Sequence, residues 1–165
     1  MLLTVISAVV PLIAVIISYI LGVTTQINKR TVEVLRMRYE KLYVPFMRDL
    51  IVAPAEWITP HEHSLAVRSK IYDLIMQNAE YLGAKSGLIL PKYNQAFLNM
   101  LEFEDGNVTY KNAPGDYDSA FTELEDSLLI EAKTISRKLR YPDLSGTISA
   151  IRAQSTDKQR LDTKR

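Results

Sequence analysis

The two histidines of the chain, His61 and His63, are the side chains whose type and spacing come closest to a metal or acid-base site. A zinc-binding helix carries its imidazoles four residues apart, as in His-Glu-x-x-His, so that both leave the same face. The position four residues after His61 is Leu65 instead, and imidazoles two residues apart on a helix point about 200° from each other. Glu62 has a structural use, because it completes a capping box with Thr59. We therefore expect a helix start here and no metal ion.

A second group of oxygen ligands, Asp116 and Asp118, has the first spacing of a calcium-binding loop. Such a loop also requires a third oxygen ligand, a glycine and a glutamate at fixed positions. The chain has Ala120, Phe121 and Ser127 there, so the calcium pattern fails at three positions. The other acidic residues of this stretch are predicted to form the solvated face of a helix: Glu123, Glu125, Asp126 and Glu131.

Covalent and cofactor chemistry find no support in the residue types. The chain has no cysteine, which excludes a thiol nucleophile, a thiolate zinc site, a disulfide and a lipid-carrying cysteine. It also lacks Gly-x-Ser-x-Gly and a glycine-rich phosphate loop. We therefore predict a protein that needs no cofactor, is not an enzyme and acts by binding.

The elements that must position these residues begin with an apolar segment. Leu2 to Val23 are 22 residues without a charge, and as a helix they would cover roughly 33 Å, enough for a hydrocarbon core of about 30 Å. We predict a transmembrane anchor over residues 1–28, in which a proline is tolerated at mid-span and a tyrosine lies near the interface. The residues that represent this anchor are Leu2, Pro11, Ile17, Tyr19 and Val23.

Two alternatives to an anchor fit the segment less well. A cleaved signal peptide would have a basic start, a shorter apolar stretch and a small-residue cleavage site. No Lys or Arg precedes the apolar stretch, and the sequence LGVTTQ that follows it is a poor cleavage site. A buried helix of a soluble domain rarely stays uncharged over such a length. The segment therefore favours an anchor that is retained.

Basic residues follow the apolar segment, and their position sets the expected orientation. The positive-inside rule then predicts a single-pass protein of the cell membrane, with its N-terminus outside and its C-terminal domain in the cytoplasm. The same cations are expected to contact lipid headgroups of the bilayer, each contributing about 1 kcal/mol near an anionic leaflet. They are Lys29, Arg30, Arg36, Arg38 and Lys41.

The net charge of +1 conceals an uneven layout. Residues 29–48 hold six basic against two acidic side chains, residues 49–144 hold nine against fifteen, and residues 145–165 hold five against two. Nucleic-acid binding through the basic ends is not expected, because the acidic middle lacks the interleaved basic and aromatic residues of such surfaces.

The rest of the chain predicts an all-α fold, a small cytoplasmic helical bundle over residues 29–144 followed by a flexible basic tail over 145–165. Helices are expected from Thr59 to about Leu82, where GAKSG ends the helix, and from about Pro91 to Phe103. Residues 104–116 are expected to form a loop. Tyr141-Pro142 should end the last helix.

The last helix has the clearest apolar stripe, with members three and four residues apart. Such a stripe either packs in the domain's own core or pairs with a second copy of the chain, which would make a homodimer. The intramolecular role is favoured because a small bundle needs this face for its core. The stripe contains Tyr117, Phe121, Leu124, Leu128, Ile135 and Leu139.

Two stretches, RYEKLYVPFMRDL from Arg38 to Leu50 and EAKTISRKLRY from Glu131 to Tyr141, resemble small membrane-anchored helical proteins of Gram-positive bacteria and their prophages. This group includes superinfection exclusion proteins, which stop a second phage from delivering its DNA. The resemblance implies a non-enzymatic partner of an unidentified membrane or envelope protein, and it carries over no catalytic residue. A housekeeping membrane adaptor or regulator and an immunity-type protein against a membrane-active toxin remain alternatives.

Overall fold

The computed structural model describes residues 18–19, 22–23, 26, 28–52 and 59–151. These residues form helices and short connections without any β-strand, which confirms the predicted all-α class and the helical bundle. The chain divides into two compact units, Met1–Arg36 and Met37–Arg165.

In the first unit, residues 28–36 are helical and largely exposed. Within the part of the chain that the structure describes, no helix is long and apolar enough to cross a membrane. Most of the predicted anchor, including Leu2, Pro11 and Ile17, lies outside the described residues. Tyr19 and Val23 are helical, with exposed side chains.

The second unit begins with a helical segment that contains a π-helical turn, Tyr39–Tyr43, followed by helix α1, Val44–Val52. Pro45 is the second residue of α1, just after the turn. Proline has no N–H to donate and its ring crowds the carbonyl four residues earlier, so a locally widened helix accommodates it. The backbone N–H of Val44 accordingly donates to the carbonyl of Tyr39, five residues back.

The second long element, α2, starts later and ends earlier than the sequence predicts. The capping box of Thr59 and Glu62 is confirmed, but it opens only a 3-10 turn, Pro60–Glu62. Helix α2 itself runs from Leu65 to Gln77 and is capped by Ser64, whose hydroxyl accepts from the N–H of Val67 at 3.4 Å. A 3-10 turn, Ala79–Tyr81, follows.

Helix α3, Ala84–Glu104, is longer than the predicted helix. The prediction started it at about Pro91, whereas Pro91 lies inside it. Pro91 and the residue four positions earlier, Gly87, are both exposed, so the carbonyl that loses its partner faces solvent. The expected loop at residues 104–116 is short: it holds a turn at Gly106 and a 3-10 turn, Val108–Tyr110.

Helix α4, Ala113–Leu139, returns antiparallel to α3 and forms the centre of the bundle. It ends before Pro142 as predicted, in a Schellman closure: Tyr141 N–H donates to Ser136 O at 2.9 Å, and Arg140 adopts the left-handed conformation, with φ 59°.

The predicted flexible tail is wrong at its start. Residues 144–151 form a further helix, α5, and Ile148 and Ser145 are buried against the domain. Burial of one isoleucine and the cap that Asp143 provides explain this order, since the Asp143 carboxylate accepts from the N–H of Gly146 at 2.9 Å. The remainder of the tail, residues 152–165, lies outside the described residues.

Candidate functional site

The cations predicted to set topology differ in what they contact. Lys29, Arg30 and Arg36 are exposed on the helix of the first unit, and Lys41 is exposed on the π-helical turn of the second. Arg38 is instead tied into the domain: its Nε donates to the carbonyl of Tyr81 at 2.8 Å, and its Nη2 donates to the Tyr43 hydroxyl at 3.2 Å. Arg38 therefore has a structural partner that the sequence did not reveal.

The carboxylate of Glu131 is the centre of a polar network within the second unit. It accepts from the Tyr43 hydroxyl at 2.8 Å, from the Ser86 hydroxyl at 2.8 Å and from the N–H of Gly83 at 3.1 Å. Because Gly83 and Ser86 belong to the first turn of α3, Glu131 caps that helix from α4. One side chain thus links the π-helical turn, α3 and α4.

One prediction fails at this network. Glu131 was expected on the solvated face of the last helix, but it points into the domain. Gly83 is extended, with φ −77°, so this position does not use the left-handed conformation that glycine allows. The glycine is needed for space instead, since a Cβ at this position would overlap the Glu131 carboxylate.

Burial and the neighbouring negative charge act in the same direction on Tyr43. Its side chain is fully buried, and both desolvation and the Glu131 carboxylate raise the pKa of the phenol well above its usual value. Tyr43 therefore stays protonated and acts as a donor at neutral pH. Ser86 is also fully buried, so its hydroxyl pairs with Glu131 in a place that no substrate can reach.

His61 forms a structural contact between the 3-10 turn and α4. His61 contacts Asp118 twice: its backbone N–H donates to Oδ1 at 2.7 Å, and its Nδ1 lies 2.6 Å from Oδ2. Among the described residues, no group of three or more His, Asp or Glu side chains could hold a metal ion. The pair clamps the 3-10 turn to α4.

Arg68 is buried in the core and bonds to His63, two residues after the His61 of this pair. It donates to the carbonyl of His63 at 2.8 Å and to the carboxylate of Glu104, and its guanidinium lies 5.9 Å from the centre of the Tyr117 ring. Burial and the Arg68 charge lower the pKa of His63, so this imidazole is neutral at neutral pH. Burial raises the pKa of Tyr117 to about 12.

The apolar stripe of the last helix belongs to the core. Five of its six members are buried within the second unit, and Leu139 is half-buried. An aromatic cluster surrounds Tyr117, with Tyr93 at 6.0 Å and Phe97 at 6.3 Å between ring centres. This face of α4 is therefore buried within the chain's own core, as the favoured intramolecular role predicts.

Glu125 was also predicted to lie on the solvated face of the last helix, and this prediction is wrong. Its side chain is almost fully buried on α4. A helical projection contains the missed signal, because Glu125 lies four residues after Phe121 and three before Leu128, both of which are core residues. The acidic residues of α4 thus divide between two faces.

Comparison of the chain with family models, with curated proteins and with solved structures finds no match.

Proposed function

We propose that the protein is a membrane-anchored helical protein that acts by contact at the inner face of the cell membrane, in superinfection exclusion. The observation that carries the proposal is the uncharged segment from Leu2 to Val23, followed by basic residues from Lys29 onward. The anchor would confine the helical domain to the bilayer, which raises its effective concentration for a partner in the same membrane.

We propose that the domain acts by contact, with its polar groups in structural roles. The hydroxyl of Ser86 and the carboxylate of Glu131 lie inside the bundle, and the imidazole of His61 is held by Asp118. These groups fix the positions of helices. We propose that the outer surface of the bundle engages an envelope protein through which phage DNA passes.

The anchor is tested first, by a charge placed at its centre. Ile16→Arg should remove the protein from the membrane fraction, because arginine at mid-span costs about 2.5–3.5 kcal/mol on insertion scales. Ile16→Leu is the matched control and should remain in the membrane. Equal membrane fractions for the two variants would contradict a spanning segment.

The orientation is tested with single cysteines, since the natural chain has none. Leu2→Cys should react with a membrane-impermeant maleimide in intact cells, whereas Thr109→Cys should react only after the membrane is permeabilised. The opposite labelling pattern would place the domain outside and rule out action at the inner face.

The biological role is tested by phage challenge of a sensitive host that expresses the full chain. Normal adsorption with blocked DNA delivery supports superinfection exclusion, and Ile16→Arg should restore infection while Ile16→Leu should not. Undiminished infection by every phage tested would overturn the proposal. Survival of a membrane-active toxin under the same conditions would indicate the immunity-type role instead.

A further inference from the structure

The end of α4 lies beside the segment through which the chain enters the second unit. The rings of Tyr39 and Tyr141 are 5.7 Å apart between centres, and Tyr43 bonds to Glu131 further along. Because the two segments run antiparallel, the last turn of α4 is level with the first residues of the unit, which starts at Met37. This end of the domain is therefore the one from which the preceding chain departs.

Three cations are concentrated at this end. Arg137, Lys138 and Arg140 are all exposed, and none takes part in an ion pair among the residues that the structure describes. Lys133, one turn earlier, differs because it pairs with Asp143 at 3.5 Å. The charge at the end of α4 thus has no counter-ion within the described part of the domain.

Cations in the last turn of a helix also complement its macrodipole, which is the simpler explanation for Arg137 and Lys138. Arg140 is harder to explain in this way. It has φ 59°, a conformation that favours glycine, and it is the only non-glycine residue with positive φ in the described ranges. An arginine at a glycine position adds a third cation to the same surface.

Two partly exposed apolar side chains follow these cations along the chain, on α5. Leu144 and Ile151 are each 45% exposed, whereas Ile148, between them on the same stripe, is buried and holds α5 to the domain. A short helix with exposed apolar residues beside unpaired cations is typical of surfaces that bind at the headgroup boundary of a bilayer.

We infer that the end of α4 and helix α5 form a lipid-facing surface, named here the basic end (Arg137, Lys138, Arg140, Leu144 and Ile151), that binds anionic phospholipid headgroups. This inference rests on the proposed membrane anchor. The basic end would add a second attachment and hold one side of the domain against the bilayer. The far end of the α3–α4 hairpin, near Lys111, would then point away from the membrane.

The test uses the full chain reconstituted into vesicles. A fluorophore on Thr147→Cys reports the basic end, and one on Thr109→Cys reports the far end of the hairpin; both threonines are exposed. Spin-labelled headgroups in vesicles of equal parts phosphatidylglycerol and phosphatidylcholine should quench the label at Thr147 and not the label at Thr109. Pure phosphatidylcholine should quench neither.

Charge variants make the test specific. Arg137→Gln with Lys138→Gln should lower the ratio of quenched to unquenched label about 25-fold, since each basic residue near an anionic leaflet is worth about a factor of five. Lys111→Gln is exposed at the far end and should leave the ratio unchanged. Equal effects of the two changes, or quenching that is the same in both lipid mixtures, would overturn the inference.

Salt separates this inference from the proposed anchor. In about 1 M NaCl the Debye length is about 3 Å, so headgroup binding should be lost while an anchored chain still floats with the vesicles. A chain that leaves the vesicles would refute the anchor, and the basic end alone would then explain binding at low salt. A chain that floats without quenching at Thr147 would keep the anchor and refute the basic end. Quenching that short duplex DNA abolishes at equal charge concentration would indicate a nucleic-acid surface and overturn the lipid assignment.

Discussion

The hydroxyl of Tyr43 donates to Oε2 of Glu131 at 2.8 Å and joins two segments that lie 88 residues apart. The same carboxylate accepts from Ser86 and Gly83, so its lone pairs are satisfied by donors from two elements. Charge-assisted hydrogen bonds in a partly buried place are stronger than neutral ones at the surface. This carboxylate therefore holds together the π-helical turn, the start of α3 and α4.

Removing that carboxylate should destabilise the domain. Glu131→Ala removes the charged acceptor of the Tyr43 and Ser86 hydroxyls and leaves each only a backbone carbonyl at 3.3 Å. The free energy of unfolding should fall by about 3 kcal/mol, measured by urea titration in detergent. Glu123→Ala is the matched control on the same helix. Its ion pair with Lys92 is exposed, so the loss should stay below about 1 kcal/mol. Equal losses of unfolding free energy in the two variants would mean that the Glu131 network contributes no more to stability than an exposed ion pair.

Two glycines of one segment should respond to alanine with opposite signs. Gly83→Ala places a Cβ against the Glu131 carboxylate and should cost about 1–3 kcal/mol through displacement of the cap. At Gly87, inside α3, a Cβ would meet nothing within 4 Å, so Gly87→Ala should stabilise by about 0.5–1 kcal/mol. Thermal unfolding of the two variants measures both effects. A shift in the same direction would contradict the space argument for Gly83.

Alkaline pH should unfold the domain steeply. The pKa of Tyr43, Tyr93 and Tyr117 is raised by burial, in Tyr117 to about 12, so the folded state keeps protons that the unfolded state releases near pH 10. Their contribution is complete below pH 10 and is lost as the pH rises through the folded pKa. Three such groups imply a fall of about 4 kcal/mol per pH unit in that window.

Tyrosinate absorbance and circular dichroism measure this transition. The buried phenols should ionise together with the loss of helix, and Tyr93→Phe should reduce the slope by about one third. Ionisation of all nine tyrosines before any loss of helix would contradict the burial argument.

His61 should matter for stability and not for protection against phage. Replacing it with His61→Gln weakens the clamp to Asp118 and should cost about 1 kcal/mol, while a cell that carries the variant at equal protein level should exclude phage as well as before. An acid-base role would instead predict complete loss of protection with unchanged stability. The measurement is plating efficiency set beside the melting temperature.

Arg140→Gly should separate stability from lipid binding. Glycine adopts φ near 59° without strain, so the variant should be as stable as the natural chain or up to about 1 kcal/mol more stable. Quenching at Thr147 should nonetheless weaken, because one cation of the basic end is lost. A variant that loses both stability and quenching would assign Arg140 a structural role.

Local patterns in the sequence predicted the elements whose causes are local. The apolar stripe from Tyr117 along α4, the capping box of Thr59 and the stop at Pro142 depend on residues within a few positions, and all three are observed. The start of α3 was missed because Pro91 weighed against a helix, whereas its exposed position makes it tolerable there.

Contacts between distant segments could not be predicted in this way. Nothing near Glu131 in the sequence shows that Tyr43 and Ser86 will surround it, so a charged residue on an amphipathic helix was assigned to solvent. Arg38 was likewise assigned to headgroups because its partner, the carbonyl of Tyr81, lies 43 residues away. Glu125 is different, since its place between two core positions of α4 was visible in the helical projection.

The separation between Tyr43 and Glu131 also fixes an order of events during synthesis. The ribosome releases the π-helical turn, Tyr39–Tyr43, long before it has made the half of α4 that the turn packs against. Domains fold as units once their contacts are available, so this first segment of the domain is the last to dock. Until residue 141 has left the ribosome, the π-helical turn lacks the surface of α4 that covers it, and Tyr43 lacks the Glu131 carboxylate. The newborn chain is therefore most exposed to aggregation and to proteases in the interval when only its first half exists.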